Sequence, residues 1–233
     1  VTQLVLFDLD DTLFAHRGAV AAGILAHRTA HSLLGDDVTE LARWNELEEV
    51  HYHRYLAGEI DFFQQRRARA QAFVEPHGIT LADSDADAWF DKYFAEYVAA
   101  WELHDDALPV LDELASRGIR LGIITNGDAA FQSRKLVGLG IDGRFEHVIA
   151  SGSVGVAKPD ARIFHHACEL YDVAPSDAVY VGDRLTTDAV GAAQAGLTGV
   201  WLARTGASAE ENAVAAAAGA RVIRSLRELP QYL

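Results

Sequence analysis

The chain has 233 residues, half of them apolar, and a net charge of −14 from 34 acidic and 20 basic side chains. That is enough apolar content to bury a large core, either as one domain with an insertion or as two small domains. The acidity excludes the basic stripe of a non-specific nucleic-acid binder, because the one dense basic run, "RRAR" at 66–69, is too short to reverse it.

No apolar run reaches the ~18 residues a membrane span needs, and no signal peptide precedes the first apolar segment. The single cysteine, Cys168, rules out an internal disulfide, so the expected setting is cytoplasmic. The chain has no methionine, and Val1 is read as an artefact of processing.

The first predicted element is a strand over 4–8 in "LVLFDLDDTLF", fully apolar until it meets Asp8, Asp10 and Asp11. The next strand-like run begins only at 120, whereas a βα crossover needs about 30 residues in all. The gap reads as helical in four pieces: "GAVAAGILAHRTAHSLL", "VTELARWNELEEVHYHRYLAG", "IDFFQQRRARAQAFVEPHG" and "DADAWFDKYFAEYVAAWEL", with Gly58 and Gly78 as turns. These form an all-helical insert, residues 16–103, within an α/β core made of residues 1–15 and 104–233.

After the insert, "LPVLDELASRG" predicts a helix whose buried stripe is Leu108, Leu111, Leu114 and Ala115, ended by Gly118. Strands follow at "RLGIIT" (120–125), "HVIA" (147–150), "AVYVG" (178–182), "TGVWLA" (198–203) and "RVI" (221–223), with helical segments between them. Strands without a polar face that alternate with helices predict a doubly wound, Rossmann-like parallel sheet covered on both sides. The Ala-rich stretch 207–220 is helix or surface loop.

Ligands of such sheets bind beyond the carboxyl ends of the strands. There the sequence sets Asp8, Asp10 and Asp11 after the first strand, Thr125-Asn126-Gly127 after the second, and Asp183 with Asp188 after "VYVG". Lys158, in "GVAKPD", precedes a helix whose first turn is expected to hold Pro159 and Asp160. Carboxylates brought together repel and must be neutralised. A hard divalent cation with oxygen ligands does this, which points to Mg²⁺-dependent phosphoryl transfer with a carboxylate nucleophile. Of the twenty basic residues only Lys92, Lys135 and Lys158 are lysine. At 158 the chain therefore places a compact point charge in preference to a planar guanidinium.

In order, "DLDDT" (8–12), "ITNG" (124–127), "KPD" (158–160) and "GDRLTTD" (182–188) resemble the four motifs of the haloacid dehalogenase-like (HAD) hydrolase superfamily. The resemblance covers essentially the whole chain, and the insert is similar to the C1-type helical cap of subfamily I. It implies a phosphatase acting on a small phosphorylated metabolite through an aspartyl-phosphate. Asp8 would be the nucleophile and Asp10 the acid and then the base. Thr125 and the Asn126 N–H would hold phosphate oxygens, and Lys158 would neutralise charge. Asp8, the Asp10 carbonyl and Asp183 would ligate Mg²⁺, with Asp188 as a further carboxylate of the metal site. Thr12 would orient the loop that carries Asp10, and Asp11 reads as a turn residue.

Other chemistries share this frame. Haloacid dehalogenases lack the acid two residues after the nucleophile, so Asp10 argues against that activity. A Schiff-base phosphonoacetaldehyde hydrolase needs a cap lysine, and only Lys92, late in the insert, could serve. A β-phosphoglucomutase-like phosphotransferase is the alternative reading, and a non-catalytic binding protein is disfavoured because no motif residue is missing.

Leaving-group contacts are expected from Arg66 and Arg67, after the Gly58 turn, and then from Phe14 and Arg17. His27 and His31 have metal-ligand spacing without an evident third ligand, and His51 and His53 face different sides of a helix. Trp89, Phe90, Tyr93, Phe94 and Tyr97 make a stripe that reads as core of the insert, and Gly152, Gly155 and Cys168 read as structural. The expected partner is a small phosphoester and not nucleic acid or membrane, for a protein that is a monomer or homodimer.

Overall fold

A computed structural model describes residues 2–233, so the reading of Val1 lies outside the described residues. Strand β1 (Leu4–Phe7) is buried on both faces and leads into four helices: α1 (His16–Ala30), α2 (Asp37–Leu56), α3 (Phe62–Val74) and α4 (Asp83–Ala99). Then come α5 (Ala107–Ser116), β2 (Arg120–Thr125), α6 (Ala129–Gly138), β3 (His147–Ala150), α7 (Ser151–Val154) and α8 (Ala161–Tyr171). The chain closes with β4 (Ala178–Gly182), a π-helical turn (Leu185–Val190), α9 (Gly191–Gln194), β5 (Thr198–Leu202), α10 (Ala209–Ala217), β6 (Arg221–Ile223) and a 3₁₀ segment (Leu226–Tyr232).

The six strands are all parallel, in the order β3-β2-β1-β4-β5-β6. This is the doubly wound order expected from the apolar strands. The winding reverses between β1 and β4, the crevice where ligands of such sheets bind. The register pairs Phe7 with Val181, and the Asp8 N–H extends the ladder to the Val181 carbonyl at 2.8 Å. Asp8 and Gly182 therefore leave the sheet side by side. Leu4, Leu6, Ile124, Phe164, Tyr171 and Tyr180 share one apolar cluster.

The chain divides into two compact units, one of residues up to Ala15 with Glu102–Leu233, the other His16–Trp101. The first unit closes behind the insertion through two backbone hydrogen bonds, Ala15 N–H to Glu102 O at 3.0 Å and His104 N–H to Leu13 O at 2.9 Å.

The helical unit has an aromatic centre. Trp44 is fully buried, with ring centroids 4.6 Å from Tyr93 and 5.1 Å from Phe73. A Cβ on Gly23 would lie 2.8 Å from the Tyr97 backbone, so α1 and α4 cross where a side chain is missing. His27 is buried against Trp89, and burial pushes its imidazole down to about 4. At neutral pH it is an uncharged core residue.

Two local expectations are corrected, and one open alternative is decided. The buried stripe of α5 is Ala107, Val110, Leu111 and Leu114, while Leu108 is 40% exposed and Ala115 is also exposed. That set follows the i, i+3, i+4, i+7 spacing of one helix face, which Leu108 does not. Pro159 and Asp160 precede α8, with Asp160 as the N-cap accepting from the Arg162 N–H. The Ala-rich stretch contains helix, started by a capping box of Ser208 and Glu211.

Asp106, at the start of α5, is 5% exposed and accepts hydrogen bonds from Arg204, the Ser225 hydroxyl and the Leu226 N–H. It ties together the first helix after the insertion, the end of β5 and the C-terminal segment. Burial works to raise its carboxyl, but these donors outweigh it and hold the group near 2. A depressed folded value means stability that is complete above the unfolded range near 4 and lost as the pH falls toward 2. Asp106→Asn is therefore expected to cost about 2 kcal/mol in urea unfolding at pH 7. The difference from wild type should shrink steadily from pH 4 to pH 2, and a gap independent of pH would contradict this account.

Candidate active site

Four segments meet at the carboxyl edge of the sheet, and Lys158 joins them. Its side chain is 3% exposed, and its ammonium donates to Asp8 Oδ1 at 2.7 Å, Asp188 Oδ1 at 2.8 Å and the Tyr180 hydroxyl at 2.6 Å. Those three acceptors use all three of its protons. Tyr180 passes its own proton to the Ile124 carbonyl at 2.9 Å, which anchors the lysine to β2 and β4 together.

Asp188 is 1% exposed, and its other oxygen accepts from the Arg184 N–H at 2.9 Å. Its approach depends on Gly182, because a Cβ there would collide with the Asp188 carboxylate. Asp183, beside Gly182, completes a group with Asp8 and Asp188 in which one carboxylate oxygen of each lies within 4.8 Å of the others.

Burial pushes the Asp8 carboxyl up, to about 7; Lys158 pulls against this, and Asp188 and Asp10 add to the rise. Burial alone would lower Lys158, but Asp188 and Asp8 more than compensate and keep it firmly protonated. The ammonium is shared by two of three carboxylates in the group. An all-oxygen donor set of this kind suits a hard divalent cation, and Asp8, Asp183 and Asp188 are the residues able to hold one.

The other predicted core residues also gather here. The Asn126 side chain accepts from the Lys158 N–H at 2.9 Å and donates to the Lys158 carbonyl at 3.1 Å, locking the β2 loop to the segment before α8. Gly127 donates to the Ser151 hydroxyl at 2.8 Å, which fixes the same loop from β3. Asp11 takes the left-handed conformation, φ 59°, and so turns the chain between Asp10 and Thr12. Among the described residues the buried Thr12 hydroxyl has no hydrogen-bond partner through which to orient the loop. The backbone does this, through Leu13 and Phe14 N–H groups to the Leu9 carbonyl and through Arg204 to the Thr12 carbonyl.

Arg66 and Arg67 belong to the helical unit. Arg67 makes a two-pronged pair with Asp87, at 2.7 Å on both arms, and faces Asp83 at 3.7 Å. Arg66 stacks over the Phe62, Phe90 and Phe94 rings. Both guanidinium groups have partners on α3 and α4.

Sequence reasoning missed Tyr180, Ser151, Gln132 and Lys135. Lys135, on α6, is 2% exposed and grips both Asp10 oxygens, at 2.7 and 2.8 Å. The scarcity of lysine that singled out Lys158 applied equally to Lys135. The spacing of Gln132 and Lys135, one helical turn apart just after Thr125-Asn126-Gly127, placed both on one face of the helix leaving the site. Tyr180 and Ser151 carried no such signal, since both sit in runs that read as ordinary strand and turn.

The family model for haloacid dehalogenase-like hydrolases matches residues 2–196. The glyceraldehyde 3-phosphate phosphatase of Methanopyrus kandleri is 36% identical over 210 residues, 87% of this chain and 84% of that protein. The enzyme of the same name from Pyrococcus abyssi is 32% identical, over 85% of this chain and 80% of its own. Among solved structures, the HAD-hydrolase YfnB of Bacillus subtilis, bound to magnesium, covers 100% of this chain and 98% of its own. Its TM-score is 0.81 at 22% identity, a likeness of fold.

A cation that binds only the folded carboxylate group should raise the melting temperature. At a hundredfold excess over Kd the gain is about 2.7 kcal/mol. Titration with Mg²⁺ in differential scanning calorimetry should show it in the wild type, and neither Asp183→Asn nor Gly182→Ala should retain it. A wild-type melting temperature indifferent to the ion would count against the site.

Proposed function

Because the chain belongs to the haloacid dehalogenase-like hydrolase family, we propose that it is a phosphatase that hydrolyses a small phosphorylated metabolite through an aspartyl-phosphate on Asp8. The observation that carries this reading is the buried Lys158, bonded at once to Asp8 and Asp188 where the sheet reverses its winding, with Asp10 two residues beyond Asp8.

In the first half-reaction an Asp8 carboxylate oxygen attacks phosphorus while the bond from phosphorus to the leaving oxygen breaks. Asp10 gives its proton to that departing alkoxide. In the second, the Asp10 carboxylate takes a proton from water, whose oxygen attacks the phosphoryl group and releases Asp8 and inorganic phosphate. Asp10 ends as it began, so the proton count closes. The transition states spread negative charge over three phosphoryl oxygens, and catalysis is mainly positioning and electrostatics. Lys158 faces this charge from within the core, while the Thr125 hydroxyl and the Asn126 N–H hold phosphoryl oxygens.

Mg²⁺ fits the donor set; held by Asp8, Asp183 and the Asp10 carbonyl with Asp188 alongside, it would neutralise charge between nucleophile and phosphoryl group. The acid at position 10 favours phosphoryl transfer over attack at a carbon–halogen centre, which needs no proton for its leaving group. The names of the relatives make glyceraldehyde 3-phosphate the first substrate to test within a wider panel of phosphoesters.

Phosphate release from such a panel should require Mg²⁺, and Asp8→Asn and Asp10→Asn should each lose more than about 100-fold in kcat. Beryllofluoride, which mimics a phosphoryl group on a carboxylate, should appear on Asp8 in a crystal structure. Density on another residue, or full turnover by Asp8→Asn, would refute the mechanism.

A further inference from the structure

Asp10 stands on a loop just past β1, and its side chain is 29% exposed. An aspartate so placed has rotamers to choose from, and a proton donor must keep one of them. Two residues of α6 make the choice. Lys135 reaches both carboxylate oxygens, at 2.7 and 2.8 Å. Its ammonium also lies 5.5 Å from the Phe14 ring centroid and 4.7 Å from that of Phe131, so its path to Asp10 is walled by aromatic faces.

Gln132 adds a second brace. Its amide nitrogen contacts Asp10 Oδ2 at 3.2 Å, the Thr125 hydroxyl at 2.6 Å and the Asn126 carbonyl at 3.2 Å. The Asn126 carbonyl and the Asp10 carboxylate only accept, so the nitrogen faces them and the amide orientation is set. Gln132 therefore measures off Asp10 against Thr125, which lies on a different strand.

We propose that Lys135 and Gln132 are positioning residues that hold the Asp10 carboxyl at a set place relative to Thr125, and so to the oxygen leaving phosphorus. The inference rests on the acid role proposed for Asp10. Neither residue touches the reacting atoms; both act through Asp10. A lysine kept only to offset charge would need no partner bridging to Thr125, and one kept only for packing would not grip both oxygens.

The discriminating measurement is the dependence of kcat/KM on the leaving group. This constant runs only to formation of the phosphoryl-enzyme, so hydrolysis of that intermediate does not enter. An alkyl phosphate expels a poor leaving group that needs a proton, whereas p-nitrophenyl phosphate expels one that does not. Lys135→Met should lose about tenfold or more on the best alkyl phosphate of the panel and less than about threefold on p-nitrophenyl phosphate. Gln132→Met should show the same split, and it carries the test alone if Lys135→Met does not fold. Equal losses on both esters, or no loss on the alkyl ester, would overturn the inference. Asp10→Asn, assayed alongside, separates the two levels. A split in Asp10→Asn without one in the α6 variants overturns the positioning role alone. No split in Asp10→Asn overturns the acid role and the inference with it.

Discussion

One buried ammonium organises this protein. The Lys158 side chain is 3% exposed, and burying an unpaired charge is among the costliest things a fold can do. It is tolerated because its three protons meet Asp8, Asp188 and Tyr180, which stand just past β1, in the turn after β4, and in β4 itself. Each partner is constrained in turn. Asp188 needs Gly182 to have no side chain, Tyr180 needs the Ile124 carbonyl, and the Lys158 backbone is clamped by Asn126. Remove the ammonium and two carboxylates face each other in the core, so the arrangement is fixed by mutual necessity.

The doubly wound core was largely legible because its strands are apolar, β-branched and bounded by turn residues. Strands β2, β3, β4 and β6 lie at the residues expected of them, and β1 and β5 each stop one residue sooner. The misreadings were of faces and hydrogen bonds. Leu108 and Val110 are both apolar, and only the rotation of α5 against the sheet decides which is buried. Thr12 resembled a hydroxyl that braces a loop, but the left-handed Asp11 and the Leu9 carbonyl already hold that turn.

Legibility was uneven in the site as well. Asp8, Asp10, Asn126 and Asp183 stand just past strand ends, where topology and residue type coincide, while Lys158 before α8 and Asp188 in the π-helical turn stood out by charge and by motif. Lys135, Gln132, Tyr180 and Ser151 come to the site through helix phase or strand register, which become informative only once three-dimensional neighbours are known. In Arg66 and Arg67 the charge was visible, but the Phe90 and Phe94 faces and the Asp87 carboxylate on α4 that engage it lie twenty or more residues away in sequence.

The hydrogen bonds that close the core behind Ala15 bear on how such a chain can diversify. With residues 13–15 already bonded to 102–104, the two ends of the intervening 86 residues are held together by the core itself. Loop-closure entropy grows only as the logarithm of length, so lengthening or shortening the segment between fixed ends changes the free energy of the core by little, about 0.6 kcal/mol per doubling. The strand carrying Asp8 and the sheet that receives it are thereby insulated from turnover in the intervening sequence. Segments of very different length and composition could occupy this position over evolutionary time while the carboxylate and lysine geometry stayed where it is.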